Sequence, residues 1–230
     1  MWDPAVSILN PEFTTLTPDL PGHGTRRDGP FSIDRAVTEV AALIERESPA
    51  GAVVAGDSLG GCTAMALAAA HPALVKGLVL AGCTAEFTGL LAAALRAQAR
   101  LTGALAKVFG PERLLAKTMR QVPKTFPRAP LDAIVAGGGL RLEAYGEAVF
   151  ELSGRTFLEP LARYSGPIRF VNGEMDRPNR RGESRFLAAF PRATLTVFEG
   201  SPHGVSLWDP PRFGELVRDF AREVGQESHR

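Results

Sequence analysis

The chain has 230 residues, of which 45% are hydrophobic, and its 26 basic and 25 acidic residues leave a formal net charge of +1. This balance is typical of a globular protein with a substantial core, and the length suits one large α/β domain that carries an insertion. A charge this close to zero gives no general electrostatic reason to bind nucleic acid or an anionic membrane, so we expect neither as a partner.

The first ten residues, MWDPAVSILN, carry an acid and a proline where a signal peptide would carry basic residues. Apolar segments elsewhere are interrupted before the roughly 20 residues that a membrane span requires. Cys62 and Cys83 have neither CxxC nor zinc-type spacing and are predicted to be small buried apolar residues. We therefore predict a cytoplasmic protein that uses no metal and no other cofactor.

Short apolar runs alternate with amphipathic segments along most of the chain. The predicted strands are residues 14–20, 51–56, 77–82, 168–173 and 194–199. Between the first two, an apolar stripe at helical spacing is formed by Ile33, Val37, Val40 and Ile44. A second helix is predicted to begin near Ser58 and to end before Pro72. This alternation predicts a mostly parallel sheet with helices on both faces.

Residues 84–163 break the alternation. One long helix is predicted up to Gly110, a second from Pro111 to Gln121, a proline-rich connector over 122–130 and a further helix from about 140 to 152. No strand is predicted in this stretch. We therefore divide the chain into a first core part (1–83), a helical insertion (84–163) and a second core part (164–230).

The stretch VVAGDSLGG, residues 53–61, places Ser58 between a predicted strand and a predicted helix, with Gly56 and Gly60 on either side. The G-x-S-x-G pattern alone is a weak signal, and a serine at this position also suits a helix N-cap. A nucleophilic serine on a tight strand-to-helix turn needs glycines where side chains would collide with neighbouring backbone. Both glycines are predicted to meet that need.

A nucleophilic serine needs a base, most often a histidine oriented by a carboxylate. His203 follows the last predicted strand on a loop, where a histidine is placed for chemistry rather than for packing. The other three histidines have structural explanations, since His23 lies in a turn, His71 ends a helix and His229 lies in the polar tail.

The orienting acid is expected at the carboxyl end of another parallel strand, where open α/β sheets form their functional crevice. Asp176 lies three residues beyond Gly173, and Glu174 is a nearby competitor. We prefer Asp176 because it lies further along the loop. The resulting chain order, Ser58, Asp176 and then His203, is that of one particular fold.

Four stretches together resemble the α/β-hydrolase fold family, specifically its cap-bearing esterase, lactonase and haloperoxidase-like branch. They are DLPGHG (19–24), GDSLGG (56–61), NGEMD (172–176) and SPHG (201–204). The resemblance implies an α/β-hydrolase fold in which 84–163 is the helical cap. It also implies that Ser58 is the nucleophile, His203 the general base and then acid, and Asp176 the orienting acid.

Members of this family have strands upstream of the first of these turns, and one strand ends in a His-Gly loop that donates a backbone N–H to the oxyanion hole. Here the first residues resemble the helix after that loop, so the strand and the loop have no counterpart. The N–H of Leu59 remains a donor, and no second donor is evident. A shortened form, a partner copy or rearranged segment, and a loss of catalysis remain open.

The resemblance implies hydrolysis of a carboxylic ester or lactone. The predicted cap is rich in alanine and leucine, which suggests an apolar pocket that suits a small, largely apolar substrate. Phe87, Val205 and Trp208 are candidate substrate contacts, although core packing explains them equally well. A thioester, an amide or a carbon–carbon bond would use the same three residues. The alternative is a weak or inactive member of the fold that binds a small ligand or a partner, and association into a homo-oligomer remains open.

Asp57, beside the nucleophile, could tune the site. The N-terminus of a helix already favours an acid, and we expect that structural role.

Overall fold

In the computed structural model, the described residues are 2–27, 29–121, 127–128, 131–132, 135 and 141–227. They fall into two units. One, called the helical unit, contains Pro18–Ala36 and Phe87–Arg155, and the other, called the sheet unit, contains Trp2–Thr17, Val37–Glu86 and the chain from Thr156 onward. The predicted division at residues 84 and 163 did not assign 18–36 to the helical stretch, and the role of 84–163 as a cap stays a prediction.

The sheet unit contains four parallel strands, paired in chain order: β1 (Ala52–Asp57), β2 (Val75–Ala81), β3 (Ile168–Gly173) and β4 (Thr194–Phe198). In the register of the sheet, Ala81 is the partner of both Asp57 and Val171. The carboxyl ends of β1, β2 and β3 therefore meet at one edge, where the loops that follow them can bring side chains together.

The helices are numbered in chain order over the described residues. They are α1 (Asp3–Leu9), α2 (Ile33–Glu47), α3 (Leu59–Ala70), α4 (Gly89–Phe109), α5 (Pro111–Gln121), α6 (Leu142–Leu152), α7 (Leu158–Leu161), α8 (Arg177–Ala189), α9 (Val205–Trp208) and α10 (Pro210–Glu227), with a 3₁₀ turn at Pro72–Leu74. None of them combines the length and the apolar character that crossing a membrane would require.

Both faces of the sheet are covered by helices, as its alternating buried side chains require. On one face, Val79 and Val171 join a buried cluster with Phe213 and Phe220 of α10. On the other face, the ring of Phe170 meets that of Phe186 from α8, with ring centroids 5.5 Å apart. The strands that carry the site are thus fixed by large apolar side chains on both sides.

The helical unit is built differently. Helices α4 and α6 pack against each other. The buried residues of α4 are Ala92 and Ala99, and those of α6 are Ala144, Ala148, Val149 and Leu152, so small side chains are common there. Carboxylates of α6 also bind backbone, since Glu147 accepts a hydrogen bond from the N–H of Phe31 at 3.0 Å and Glu151 accepts one from Ile33 at 3.2 Å. No strand occurs among the described residues of this unit.

The predicted strand at 14–20 is wrong. These residues form no ladder, and the edge of β1 away from β2 pairs with no described strand. Pro18 has no N–H to donate, and local partners satisfy polar side chains, since Thr15 donates to Asn10 and Asp19 accepts from Thr25. The other four predicted strands are confirmed to within two residues at each end.

Candidate active site

Ser58 occupies the sharp turn between β1 and α3. Its backbone φ of 55° and ψ of −113° make it the one non-glycine residue with positive φ among the described residues. Such a conformation costs an L-amino acid free energy and is typical of functional turns. The N–H of Ser58 donates to the carbonyl of Ala81 at 2.8 Å, which ties the turn to the end of β2.

The two flanking glycines play different parts. A Cβ at Gly56 would overlap the backbone of Gly60 and Gly61, as the sequence predicts. A Cβ at Gly60 would meet nothing within 4 Å, so the expectation of crowding there is wrong. The turn therefore brings backbone against position 56 and leaves position 60 open.

The hydroxyl of Ser58 makes no capping bond to α3, which removes the N-cap explanation for this serine. Its Oγ lies 2.8 Å from Nε2 of His203. On the other side of the ring, Nδ1 of His203 lies 2.7 Å from Oδ2 of Asp176. The structure therefore brings together the three residues singled out in the sequence, all of them in the sheet unit.

The chemistry of the three side chains determines which nitrogen of His203 carries the proton. An ionised Asp176 can only accept, so Nδ1 of His203 carries a proton and donates it, and Nε2 is left to accept the hydrogen bond from Ser58 Oγ. In this arrangement His203 is placed to take the serine proton. The ring is half exposed, whereas the Asp176 side chain is almost fully buried.

Two pKa values move so as to favour the charged forms. Burial opposes ionisation of Asp176, but the hydrogen bond from His203 and then those from Asn179 hold its pKa below the ordinary value. Desolvation likewise favours a neutral His203, but the hydrogen bond to Asp176, followed by the charges of Asp57 and Asp176, raises its pKa above the ordinary value. Ionic Asp176 therefore supports a basic His203.

Glu174, the competing acid, is bonded elsewhere. Its Oε2 accepts a hydrogen bond from the N–H of Gly200 at 2.8 Å. This contact bridges the loops after β3 and β4. Asp176, which lies further along the loop than Glu174, is the carboxylate that contacts His203.

Asn179 is a site residue that the sequence reasoning missed. Its Nδ2 donates to Oδ2 of Asp176 at 2.8 Å, and its Oδ1 accepts from the N–H of Ala85 at 2.8 Å. The side chain thus links the acid loop to the chain after β2, and its burial makes both bonds costly to lose. The available signal was a polar residue three positions beyond the candidate acid, in the first turn of α8.

Asp57, for which the sequence predicts a structural role, binds a residue close to His203 in the chain. Its Oδ2 accepts from both the N–H of Ser206, at 3.0 Å, and the hydroxyl of Ser206, at 2.5 Å. Ser206 lies in α9, three residues after His203, and was not singled out in the sequence. The carboxylate beside Ser58 therefore binds the segment that carries His203.

The remaining predicted residues are less closely tied to these three. Leu59 begins α3 directly after Ser58, and the first N–H groups of a helix have no partner within it, so its N–H is available beside the hydroxyl. Val205 is buried in the core cluster, which supports the packing explanation. Trp208 is half-buried in α9, and Phe87 is half-buried in the helical unit, where its carbonyl accepts from Gly154. Substrate contacts by these residues stay predictions.

Across the described part of the chain, no three His, Cys, Asp or Glu side chains are grouped so that they could hold a metal ion. The arrangement is instead that of an acid, a base and a hydroxyl in series, which can activate the hydroxyl for attack on a carbonyl carbon.

The profile of the Alpha/beta hydrolase family matches residues 1–216, and the chain belongs to this family. A pimeloyl-[acyl-carrier protein] methyl ester esterase of Neisseria meningitidis is 31% identical in an alignment of length 241, gaps included. The alignment covers 97% of this chain and 89% of that protein.

Two solved structures share the fold. A thermophilic esterase from Thermogutta terrifontis superposes with a TM-score of 0.77 at 20% identity, over 97% of this chain and 85% of its own. An enol-lactonase from Burkholderia xenovorans LB400 gives a TM-score of 0.75 at 20% identity, over 95% and 85%. These similarities confirm the α/β-hydrolase fold expected from the four sequence stretches.

Proposed function

We propose that this protein is a serine hydrolase that cleaves a carboxylic ester or lactone of a small, largely apolar substrate through an acyl-serine intermediate. The observation that carries the proposal is the continuous contact from Asp176 through His203 to Ser58, at 2.7 Å and 2.8 Å. The relative from Neisseria meningitidis is a methyl ester esterase, which supports an ester substrate for this chain.

In the proposed reaction, Nε2 of His203 takes the proton of Ser58 as Oγ attacks the carbonyl carbon. The tetrahedral oxyanion accepts a hydrogen bond from the N–H of Leu59, which also lies at the positive end of the α3 dipole. His203 then gives its proton to the leaving alcohol, and the carbonyl re-forms as an ester of Ser58.

Deacylation repeats these steps with water. His203 takes a proton from the water that attacks the acyl carbon, and it returns that proton to Ser58 as the acid product leaves. Ionised Asp176 keeps the ring in the productive tautomer throughout and stabilises the imidazolium.

The proposal is tested by covalent labelling with a fluorophosphonate probe, read by peptide mass spectrometry. We expect labelling confined to Ser58 and abolished in Ser58→Ala. Replacement of His203 by alanine is expected to lower the labelling rate by about 10⁴- to 10⁶-fold, because the hydroxyl loses its base. His71→Ala is the matched control, since this histidine lies at the far end of α3.

Labelling would then be followed by turnover assays on short-chain p-nitrophenyl esters and on lactones. A folded wild-type protein that reacts with neither the probe nor these substrates would contradict the proposal. The alternative of a ligand-binding member of the fold would then take its place.

A further inference from the structure

We propose that Asp57 is a positioning residue of this site, whose carboxylate ties the serine turn to the histidine loop and holds a negative charge next to the imidazole of His203. The inference rests on the proposed function, because it assigns Asp57 a part in the activation of Ser58 by His203.

Asp57 links the serine turn to the histidine loop mechanically. Asp57 is the last residue of β1 and Ser58 follows it directly, so the carboxylate and the hydroxyl are carried by adjacent residues. Both hydrogen bonds of Oδ2 go to Ser206, three residues beyond His203. One buried side chain thereby fixes the spacing between the segments that carry the hydroxyl and the ring. Groups that react over a contact of 2.8 Å lose rate steeply when this spacing drifts.

The other carboxylate oxygen of Asp57 is in a different situation from Oδ2. Oδ1 of Asp57 is buried and has no hydrogen-bond partner among the described residues. A buried carboxylate oxygen in this state lacks a local donor to share its charge, so a nearby cation becomes its natural complement.

Gly82, with a φ of +54°, brings the carboxylate and the ring close together. A Cβ built at this glycine would lie 3.2 Å from Oδ1 of Asp57 and 3.0 Å from Cε1 of His203. The two side chains therefore approach the same point from different elements. A methyl group there would press on the imidazole.

Two carboxylates act on the ring from the elements around it: Asp176 from the loop after β3 and Asp57 from the end of β1. The nearby thiol of Cys83, after β2, stays neutral because burial raises its pKa well above the ordinary value. Asp57 makes no hydrogen bond to His203 in this arrangement, so it acts through its charge and through Ser206.

The consequence for pH has a definite sign. Only neutral His203 can take the serine proton, so the rate rises with pH through the pKa of His203. The charge of Asp57 favours the imidazolium and raises that pKa, which moves the rise to higher pH. Loss of the charge must therefore move the rise to lower pH.

The test measures the rate of fluorophosphonate labelling of Ser58 across the pH range in which histidine titrates. Asp57→Asn keeps the shape and an acceptor for Ser206 but removes the charge, and we expect its acid limb to lie about one pH unit lower than in wild type. Ser206→Ala is the matched control, because it keeps the charge and removes one tie. It is expected to keep the limb in place and to slow labelling about threefold to tenfold.

A second readout does not depend on activity. The His203 ring is titrated by NMR in wild type and Asp57→Asn, with His203→Ala used for assignment, and its pKa is expected to fall in the variant. Should no form of the protein label, this titration still tests the charge of Asp57, so failure of the proposed function is told apart from failure of the inference.

A folded Asp57→Asn protein with an unchanged acid limb and an unchanged ring titration would overturn the inference. Asp57→Ser, which removes the charge with a smaller polar side chain, is used if the asparagine variant does not fold. Loss of the fold in both would also overturn it, since Asp57 would then be a residue of the core.

Discussion

The interior of the sheet unit and the interior of the helical unit are packed with different side chains. The strands of the sheet unit lie between phenylalanines, leucines and valines that are almost fully buried, whereas alanines fill much of the contact between α4 and α6. A phenylalanine, leucine or valine buries more apolar area than an alanine, so each of these side chains of the sheet unit contributes more free energy than each alanine between α4 and α6. Large buried side chains restrict the movement of the strands, so the ends of these strands are where side chains can be held at fixed distances.

The candidate site follows this difference. Ser58, Asp176 and His203 all project from loops at the ends of strands in the sheet unit. Asp57 binds the serine turn to the histidine loop, and Asn179 binds the acid loop to the chain after β2. In the helical unit, by contrast, polar side chains such as Glu147 serve mainly to bind the backbone of the segment before α2. Three pairs of substitutions test this contrast, each with one member in either unit.

The largest expected effect is on activity and compares two carboxylates. Asp176→Asn should reduce ester turnover by about 10⁴-fold, because an amide can donate to Nδ1 of His203 and so favours the wrong tautomer. Glu147→Gln should leave turnover close to wild type, since its amide oxygen still accepts from Phe31. Turnover of both variants on the best ester from the screen provides the measurement. Equal losses in the two variants would contradict the assignment of the site to the sheet unit.

The second pair compares two phenylalanines by chemical denaturation. Phe170→Ala removes a ring that is 1% exposed between α8 and the sheet, and we expect it to lower the free energy of unfolding by about 3–5 kcal/mol. Phe150→Ala removes a ring that is 45% exposed and lies under Arg100, and the expected loss is about 1 kcal/mol or less. Similar losses at both positions would show that the two units do not differ in this way.

The smallest effects compare two glycines within helices. A Cβ at Gly182 of α8 would overlap the carbonyl of Thr84, so Gly182→Ala should destabilise the protein by about 1–3 kcal/mol. A Cβ at Gly146 of α6 meets nothing within 4 Å, and Gly146→Ala should stabilise it by about 0.5–1 kcal/mol through helix propensity. Thermal melts give both signs directly. A stabilising Gly182→Ala would mean that α8 does not approach the chain after β2 this closely.

Much of this organisation could be predicted from the sequence, because it follows from local pattern. The runs at 51–56, 77–82, 168–173 and 194–199 are apolar, β-branched and short, and each lies within two residues of an observed strand. The candidate nucleophile, base and acid could be placed on the loops after such strands. Parallel strands bring their carboxyl ends to one edge, whatever the intervening sequence.

The rest depends on partners that are distant in sequence. Residues 14–20 alternate like a strand, but a strand also needs a neighbour to pair with, and alternation alone does not supply one. Asn179 and Ser206 act through single polar contacts, which leave no periodic trace in the sequence. The contact between Asp57 and Ser206 could not be foreseen for the same reason, since the two residues are 149 positions apart in the chain.

The backbone of Ser58 also suggests a practical use. A residue with a side chain is held there at a φ of 55°, a conformation that glycine adopts without strain. Ser58→Gly would remove the reactive hydroxyl and relieve about 1 kcal/mol of backbone strain in a single change. The variant is expected to be more stable than the wild type and unable to form an acyl-serine. It would therefore suit the capture of unreacted substrate from extracts and crystallisation with that substrate bound.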